Sequence, residues 1–139
     1  MPDFNRDALH QQLVTHEGLR LRPYQDTQSV WTLGVGHNLS VPISHDAALR
    51  ILDDDINEIL RQLAVTVPFL SKLNDGRQRA VIDLAFQYGV FGMKMHFADV
   101  LYELERACWE CAAKRLEQSP YAQIYHTRAA DIIALIRQG

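Results

Sequence analysis

The sequence predicts a mostly helical α+β protein with one small sheet near its N-terminus. Two observations lead there. Apolar residues recur at helical spacing along most of the chain, and a single stretch, residues 23–37, instead pairs two short β-prone runs around a polar turn. With 139 residues and no internal repeat, linker or low-complexity segment, the chain is expected to form one domain, long enough to bury a real core.

The first helix is predicted over residues 6–17, where Leu9, Leu13 and Glu17 are spaced by four and Gly18 stands just past the end. Tyr24-Gln25-Asp26 and Val30-Trp31-Thr32-Leu33 then flank the polar turn Thr27-Gln28-Ser29, a β-hairpin pattern. Gly34 and Gly36 permit a sharp change of direction or a close backbone approach. Ser44 can cap a long helix reaching about residue 64, with Asp46 in its first turn and Leu52, Ile56, Ile59, Leu60 and Leu63 as its apolar stripe. Such a helix is ~30 Å long, and Pro68 lies beyond its end. Shorter helices are expected over about 76–88, closed by Gly89, then 97–105, 107–118 and 127–137, with Pro120 interrupting the last two. A hairpin of this size needs something to rest on.

Composition excludes several classes. The net charge of −3 and scattered Lys and Arg lack the basic stripe of a nucleic-acid binder. No apolar run approaches the ~18 residues of a membrane span, and the N-terminal Met-Pro-Asp-Phe-Asn-Arg-Asp has neither part of a signal peptide. Export, if required, is expected from outside this sequence. Cys108 and Cys111 form a C-x-x-C, which could suggest redox chemistry or half a zinc site, but the flanks read as helix interior and no second Cys pair or nearby His completes a ligand set, so they are read as buried packing residues. His16-Glu17 begins the H-E-x-x-H signature, yet Arg20 replaces its second His. Gly34-x-Gly36 lacks the third glycine of a dinucleotide loop. No metal and no cofactor are implied.

Two carboxylates stand out. Glu17 continues the Leu9–Leu13 stripe and sits at a helix C-terminus. Burial and the macrodipole there would both favour its protonated form, the form a general acid must hold. Asp26 lies in a polar turn rich in donors, and Thr32 on the returning strand lies roughly across from it. Two carboxyl groups in contrasting surroundings, with a hydroxyl beside the ionised one, suit the acid/base chemistry of glycoside hydrolysis, although Asp26 also fits a plain turn-forming role.

The segment H-E-G-L-R-L-R-P-Y-Q-D-T-Q-S-V-W-T-L-G-V-G-H-N-L, residues 16–39, closely resembles the catalytic segment of the phage-type lysozymes, the endolysins of glycoside hydrolase family 24. The resemblance continues more loosely through A-L-R-I-L-D-D-D-I-N-E-I-L, R-Q-R-A-V-I-D-L-A-F-Q-Y-G, C-W-E-C-A-A-K-R-L-E-Q-S and H-T-R-A-A-D-I-I-A-L-I-R-Q-G. It implies a two-lobed lysozyme-like fold: a small β-containing lobe over about residues 18–50, a long inter-lobe helix, and a helical lobe over about 60–139 joined by the N-terminal helix.

The resemblance also implies roles. Glu17 becomes the general acid, Asp26 the carboxylate that activates water, and Thr32 a residue that helps hold that water. Leu39, Phe86 and Gln87 fall where the family lines its saccharide cleft, and Tyr121 stands near the C-terminal lip. His37 and Asp55 match a supporting ion pair, and Arg128 an arginine that reaches toward Glu17. Only Ser-Val-Pro-Ile-Ser separates Leu39 from the long helix, which implies a reduced cleft wall.

The expected activity is that of a muramidase cleaving the β-1,4 bond between N-acetylmuramic acid and N-acetylglucosamine, probed against two alternatives: chitin hydrolysis, and a non-catalytic domain of the same fold that binds peptidoglycan or a partner protein. The expected setting is a monomer made in a bacterial host cytoplasm, exported with a holin or by another route, and acting on peptidoglycan in the periplasm. No nucleic acid and no membrane insertion enter the expectation.

Overall fold

The structure, a computed structural model, describes residues 2–139. It is a mostly helical α+β protein, with seven α-helices and one three-stranded antiparallel sheet among the described residues. The chain divides into two compact units, one ending at Ala48 and the other spanning Leu49–Gly139.

In the first unit, helix α1 (Arg6–Glu17) begins where the Asn5 side chain accepts a hydrogen bond from the Ala8 amide, and ends at Gly18 with φ +78°. Strands β1 (Arg20–Gln25), β2 (Trp31–Gly34) and β3 (His37–Asn38) lie in sequence order. Tyr24 faces Thr32 and Gln25 faces Trp31, while the pairing slips between Arg20 and Tyr24, where Pro23 cannot donate. Leu33 faces His37 across β2 and β3. The two expected strands are thus joined by a third, short one. Leu13 and Val14 of α1 line a groove of about 390 Å³ with His10, Leu19 and Val35.

This unit corrects one expectation. Helix α1 buries no residue, and Glu17 is exposed. The stripe Leu9–Leu13–Glu17 points one way, but so few apolar neighbours follow it that direction does not become depth.

Helix α2 (His45–Thr66) starts with the Ser44 hydroxyl accepting from the Ala47 amide, as its sequence predicts, and the division between the units falls in its first turn. Of its expected stripe only Leu63 is buried; Leu52 and Leu60 are exposed. Its C-terminal end therefore carries the packing. A short 3-10 helix, Pro68–Lys72, follows.

Helix α3 (Asp75–His96) runs on past the expected stop at Gly89, which breaks its helical path with φ +75° before the chain winds up again. Helices α4 (Ala98–Glu105), α5 (Trp109–Glu117) and α7 (His126–Gln138) match expectation within two residues, whereas α6 (Pro120–Ile124) was unforeseen. Pro120 there opens a helix, at a position where its missing N–H is harmless. The core unites Leu63, Val81, Leu84, Met93, Leu104, Leu116, Ile132 and Ile136.

Cys108 and Cys111 are not free packing residues: a disulfide joins them, and both are half-buried. The first turn of α5 brings their Cα atoms to 5.2 Å, within the span a disulfide bridges.

Arg77 locks three helices. It lies on α3, 9% exposed, and its Nε donates to the Ile136 carbonyl at 2.7 Å and its Nη2 to the Arg137 carbonyl at 3.1 Å. These carbonyls lie in the last turn of α7, beyond the reach of the helix's own amides. Its guanidinium also stacks 3.9 Å from the centre of the Trp109 ring on α5. Gly76 permits the approach, since a Cβ there would fall 2.2 Å from the Gly139 carbonyl carbon. Arg77→Ala should destabilise the protein by about 3 kcal/mol, because both charged hydrogen bonds go and the carbonyls stay buried. Urea unfolding of wild type, Arg77→Ala and Arg77→Lys checks this; Lys should recover only part, having no planar fork.

Candidate active site

The turn after β1 fixes Asp26. Its amide donates to the Val30 carbonyl at 2.9 Å and its carbonyl accepts from the Ser29 amide at 3.0 Å. Its Oδ1 accepts from the amides of Gln28 at 2.8 Å and Val30 at 2.9 Å. An aspartate that folds its side chain onto its own turn is a strong local organiser. Ser29 completes the turn with φ +62°, a left-handed conformation uncommon for a non-glycine residue. Asp26 Oδ2 is left without a bonded donor among the described residues of this unit, on an exposed residue.

Thr32 sits two pairs further along the hairpin than the sequence suggests: Asp26 bonds Val30, Gln25 faces Trp31, and Thr32 faces Tyr24. Strand alternation puts Asp26 and Thr32 on the same side of the sheet. Among the described residues of the first unit Thr32 alone is buried, at 4% exposure, and its hydroxyl donates to the Val30 carbonyl at 2.9 Å. A threonine held this way keeps its oxygen lone pairs for an acceptor role.

Glu17, the last residue of α1, meets the turn between β2 and β3. A Cβ added to Gly36 would stand 3.1 Å from Glu17 Oε2 and 3.4 Å from its Cβ and Cδ. The backbone at Gly36, with φ +66°, therefore abuts the carboxyl. The expected burial of Glu17 is absent: the residue is exposed at the end of α1. His37 follows, half-buried, with Nε2 enclosed and without a hydrogen-bond partner among the described residues. Leu39 is exposed, and its amide donates to the Trp31 carbonyl at 2.9 Å.

The second unit holds the other expected positions. Phe86 is 44% exposed on α3 and lines a groove of about 260 Å³ with Leu52, Ile56, Asp83 and Arg128. Arg128 on α7 donates through Nε to Asp83 Oδ1 at 2.8 Å, with Nη2 2.6 Å from the same oxygen. Sequence reasoning missed Asp83, although it stands three residues before Phe86 on the same helix, one turn away. Tyr121 is buried, its ring packed edge-on against Tyr88 and Phe97, and its hydroxyl donates to Gln87 Oε1 at 3.1 Å. It thus orients Gln87 and offers no open face to a sugar. Asp55 is exposed on α2. The expected pairings of His37 with Asp55 and of Glu17 with Arg128 each join one unit to the other and stay expectations.

Gly36→Ala should cost about 1–2 kcal/mol from its left-handed backbone alone, and should also push the Glu17 side chain aside; chemical denaturation and a crystal structure of the variant check both. Burial pushes the Tyr121 hydroxyl above the usual tyrosine value, with Arg128 opposing. A folded value raised above the unfolded ~10 gives a contribution that is full below about pH 10 and lost as pH rises through the folded value. Tyr121→Phe should therefore cost about 1 kcal/mol at pH 7 by removing the bond to Gln87, and the variant should lose less stability than wild type between pH 9 and 11. Identical alkaline losses would show that Tyr121 does not drive them.

The phage lysozyme family model matches residues 14–128, a span that holds the hairpin and reaches Arg128. Among relatives, probable T4-type lysozyme 1 of Dictyostelium discoideum is 22% identical over 162 aligned positions, covering 95% of each chain. Probable T4-type lysozyme 2 of the same organism is also 22% identical, again over 95% of each chain. The pre-baseplate central spike protein Gp5 of Enterobacteria phage T4 is 25% identical over 95% of this chain but only 28% of its own length. With its N-terminal sheet, its helical body and a match across more than half its length, the chain belongs to the phage lysozyme family.

Proposed function

We propose that this lysozyme-type protein is a muramidase that hydrolyses the β-1,4 bond between N-acetylmuramic acid and N-acetylglucosamine in peptidoglycan, with residues 1–139 acting as one catalytic domain. The observation that carries the reading is the hairpin: Asp26 is clamped by two amides through one oxygen, and the buried Thr32 hydroxyl lies on the same side of the sheet. A binding module has no use for that arrangement. In this reading Glu17 protonates the departing glycosidic oxygen. Asp26 takes a proton from the attacking water through its unclaimed oxygen, and Thr32 accepts a hydrogen bond from that water. Leu39, Phe86 and Gln87 contact saccharide, and Tyr121 holds Gln87 in place.

The same arrangement favours inversion at the anomeric carbon. Glu17 ends a helix and Asp26 belongs to a separate turn. Inverting glycosidases keep their carboxyls ~6.5–9.5 Å apart to admit water, whereas retaining ones hold them at ~5–5.5 Å. A hydroxyl that orients water would be superfluous beside a carboxylate nucleophile. The reaction would take place in the cell wall; no helix among the described residues is long and apolar enough to cross a membrane, and delivery is assigned to a holin or another route.

Release of reducing ends from purified peptidoglycan tests the activity. Glu17→Gln should lower turnover by at least about a thousandfold, within the range general acids contribute together with transition-state electrostatics, and leave the fold intact. Asp26→Asn should lower it comparably. Proton NMR of the first-formed reducing end should show the α-anomer; an initial β-anomer would mean a covalent intermediate and a different role for Asp26. Wild-type protein that binds cell-wall sacculi and releases nothing would make this a non-catalytic member of the family. Release from chitin but not from peptidoglycan would reassign the substrate.

A further inference from the structure

The junction between α4 and α5 is built in a way that the lysozyme reading leaves unused. Helix α4 ends in a reverse turn in which the Cys108 amide donates to the Glu103 carbonyl at 3.0 Å and the Ala107 amide to the Leu104 carbonyl at 3.1 Å. This is the Schellman pattern, with Ala107 at the left-handed position, φ +58°. Glycine ordinarily stands there, and the motif usually sets an apolar contact between the residue after it and the one five places earlier. Here those two residues are Cys108 and Glu103.

Glu103 is 6% exposed, and its Oε2 is enclosed with no hydrogen-bond partner among the described residues. Arg106 Nη1 lies 3.5 Å from that oxygen, near enough for Coulomb attraction but outside hydrogen-bond geometry. A Glu103 carboxylate oxygen and the sulfurs of Cys108 and Cys111 all lie within 4.8 Å of one another. Cys108 caps the nine-residue helix α5 and Cys111 lies in its first turn, with both residues only half-buried. A helix N-terminus favours a thiolate. The closed disulfide thus leaves a buried carboxylate oxygen without a donor, and a dithiol would supply the S–H it lacks.

We propose that Cys108 and Cys111 form a reversible redox pair that is reduced by a small dithiol in the folded protein, with Glu103 as the hydrogen-bond acceptor of the reduced form. One thiolate of the reductant attacks Cys111 Sγ and forms a mixed disulfide. The Cys108–Cys111 bond breaks, and its electron pair leaves on Cys108, whose thiolate is stabilised by the free amides opening α5. The better-stabilised thiolate is the better leaving group. The second thiolate of the reductant then attacks the reductant's own sulfur in the mixed disulfide, closes a cyclic disulfide and releases Cys111. In sum, two electrons and two protons pass from the dithiol to the cysteine pair, and one new S–H donates to Glu103.

The test uses the full-length native protein in buffers of reduced and oxidised dithiothreitol, with alkylation and mass measurement reading the thiol state and circular dichroism the fold. Reduction should proceed at least a hundredfold faster than global unfolding, reverse on adding oxidised dithiothreitol, and leave the helical signal unchanged. Glu103→Gln, of nearly the same shape, should shift the reduction equilibrium toward the disulfide by about tenfold, the worth of one lost hydrogen bond to a charged group. Reduction only at the rate of unfolding overturns the proposal and needs no variant to be read. A reduction equilibrium unchanged in a folded Glu103→Gln protein overturns it as well.

Discussion

A single buried guanidinium governs the helical unit. Arg77 reaches from α3 to the last carbonyls of α7 and lies flat on Trp109 of α5, so three helices share one charge. A buried cation is costly unless its donors are used, and here the acceptors are carbonyls that the end of α7 leaves open. The exchange solves two problems at once: the cation gains partners and the helix end gains a cap. Gly76 then acquires a purpose, because only a residue without a side chain lets α3 pass so near the chain's last residue. Exposed pairs nearby, such as Arg137 with Glu110 and Glu117, follow from the same seating of α7 against α5 and add little to it.

Much of this organisation was legible in the residues, and the failures share a cause. Helix α1 was read to its limits because Gly18 marks its end sharply, and α2 because Ser44 caps it. The hairpin turn followed from Thr27-Gln28-Ser29, although the register had to come from the backbone, which pairs Thr32 with Tyr24. Periodicity reports a direction and not a depth. It set Glu17 and Leu52 on apolar stripes, yet both are exposed, because the number of partners on the other side is a tertiary quantity. Gly89 does break α3, but a local break does not decide whether the chain resumes its helix, and here it does. Short α6 carries too few residues for any periodic signal. The cysteines were weighed as a redox pair, as ligands and as packing groups, and packing was preferred, whereas their spacing of three at a helix start suits a bond between them.

The same contrast runs through the candidate site. The residue types and their order in the segment from Glu17 to His37 announced a chemistry, and the family match over residues 14–128 agrees with it. The supporting contacts were silent in the sequence. Asp83 had no spacing signal that tied it to Arg128, since forty-five residues separate them. Tyr121 read as an aromatic at a cleft lip, but its ring is enclosed and its hydroxyl donates to Gln87.

Main-chain atoms hold the candidate catalytic groups. Asp26 is fixed by the amides of Gln28 and Val30, Thr32 by the carbonyl of Val30, and Glu17 rests on the backbone at Gly36. Every residue type except proline supplies both amide and carbonyl, so substitutions elsewhere can accumulate without disturbing the three side chains. A scaffold of this kind lets a lineage diverge: any substitution that keeps the backbone path leaves the same amides and carbonyls in place. What such a lineage must preserve is the path of the backbone, which rests on a few conformationally special residues and not on a shell of matched side chains.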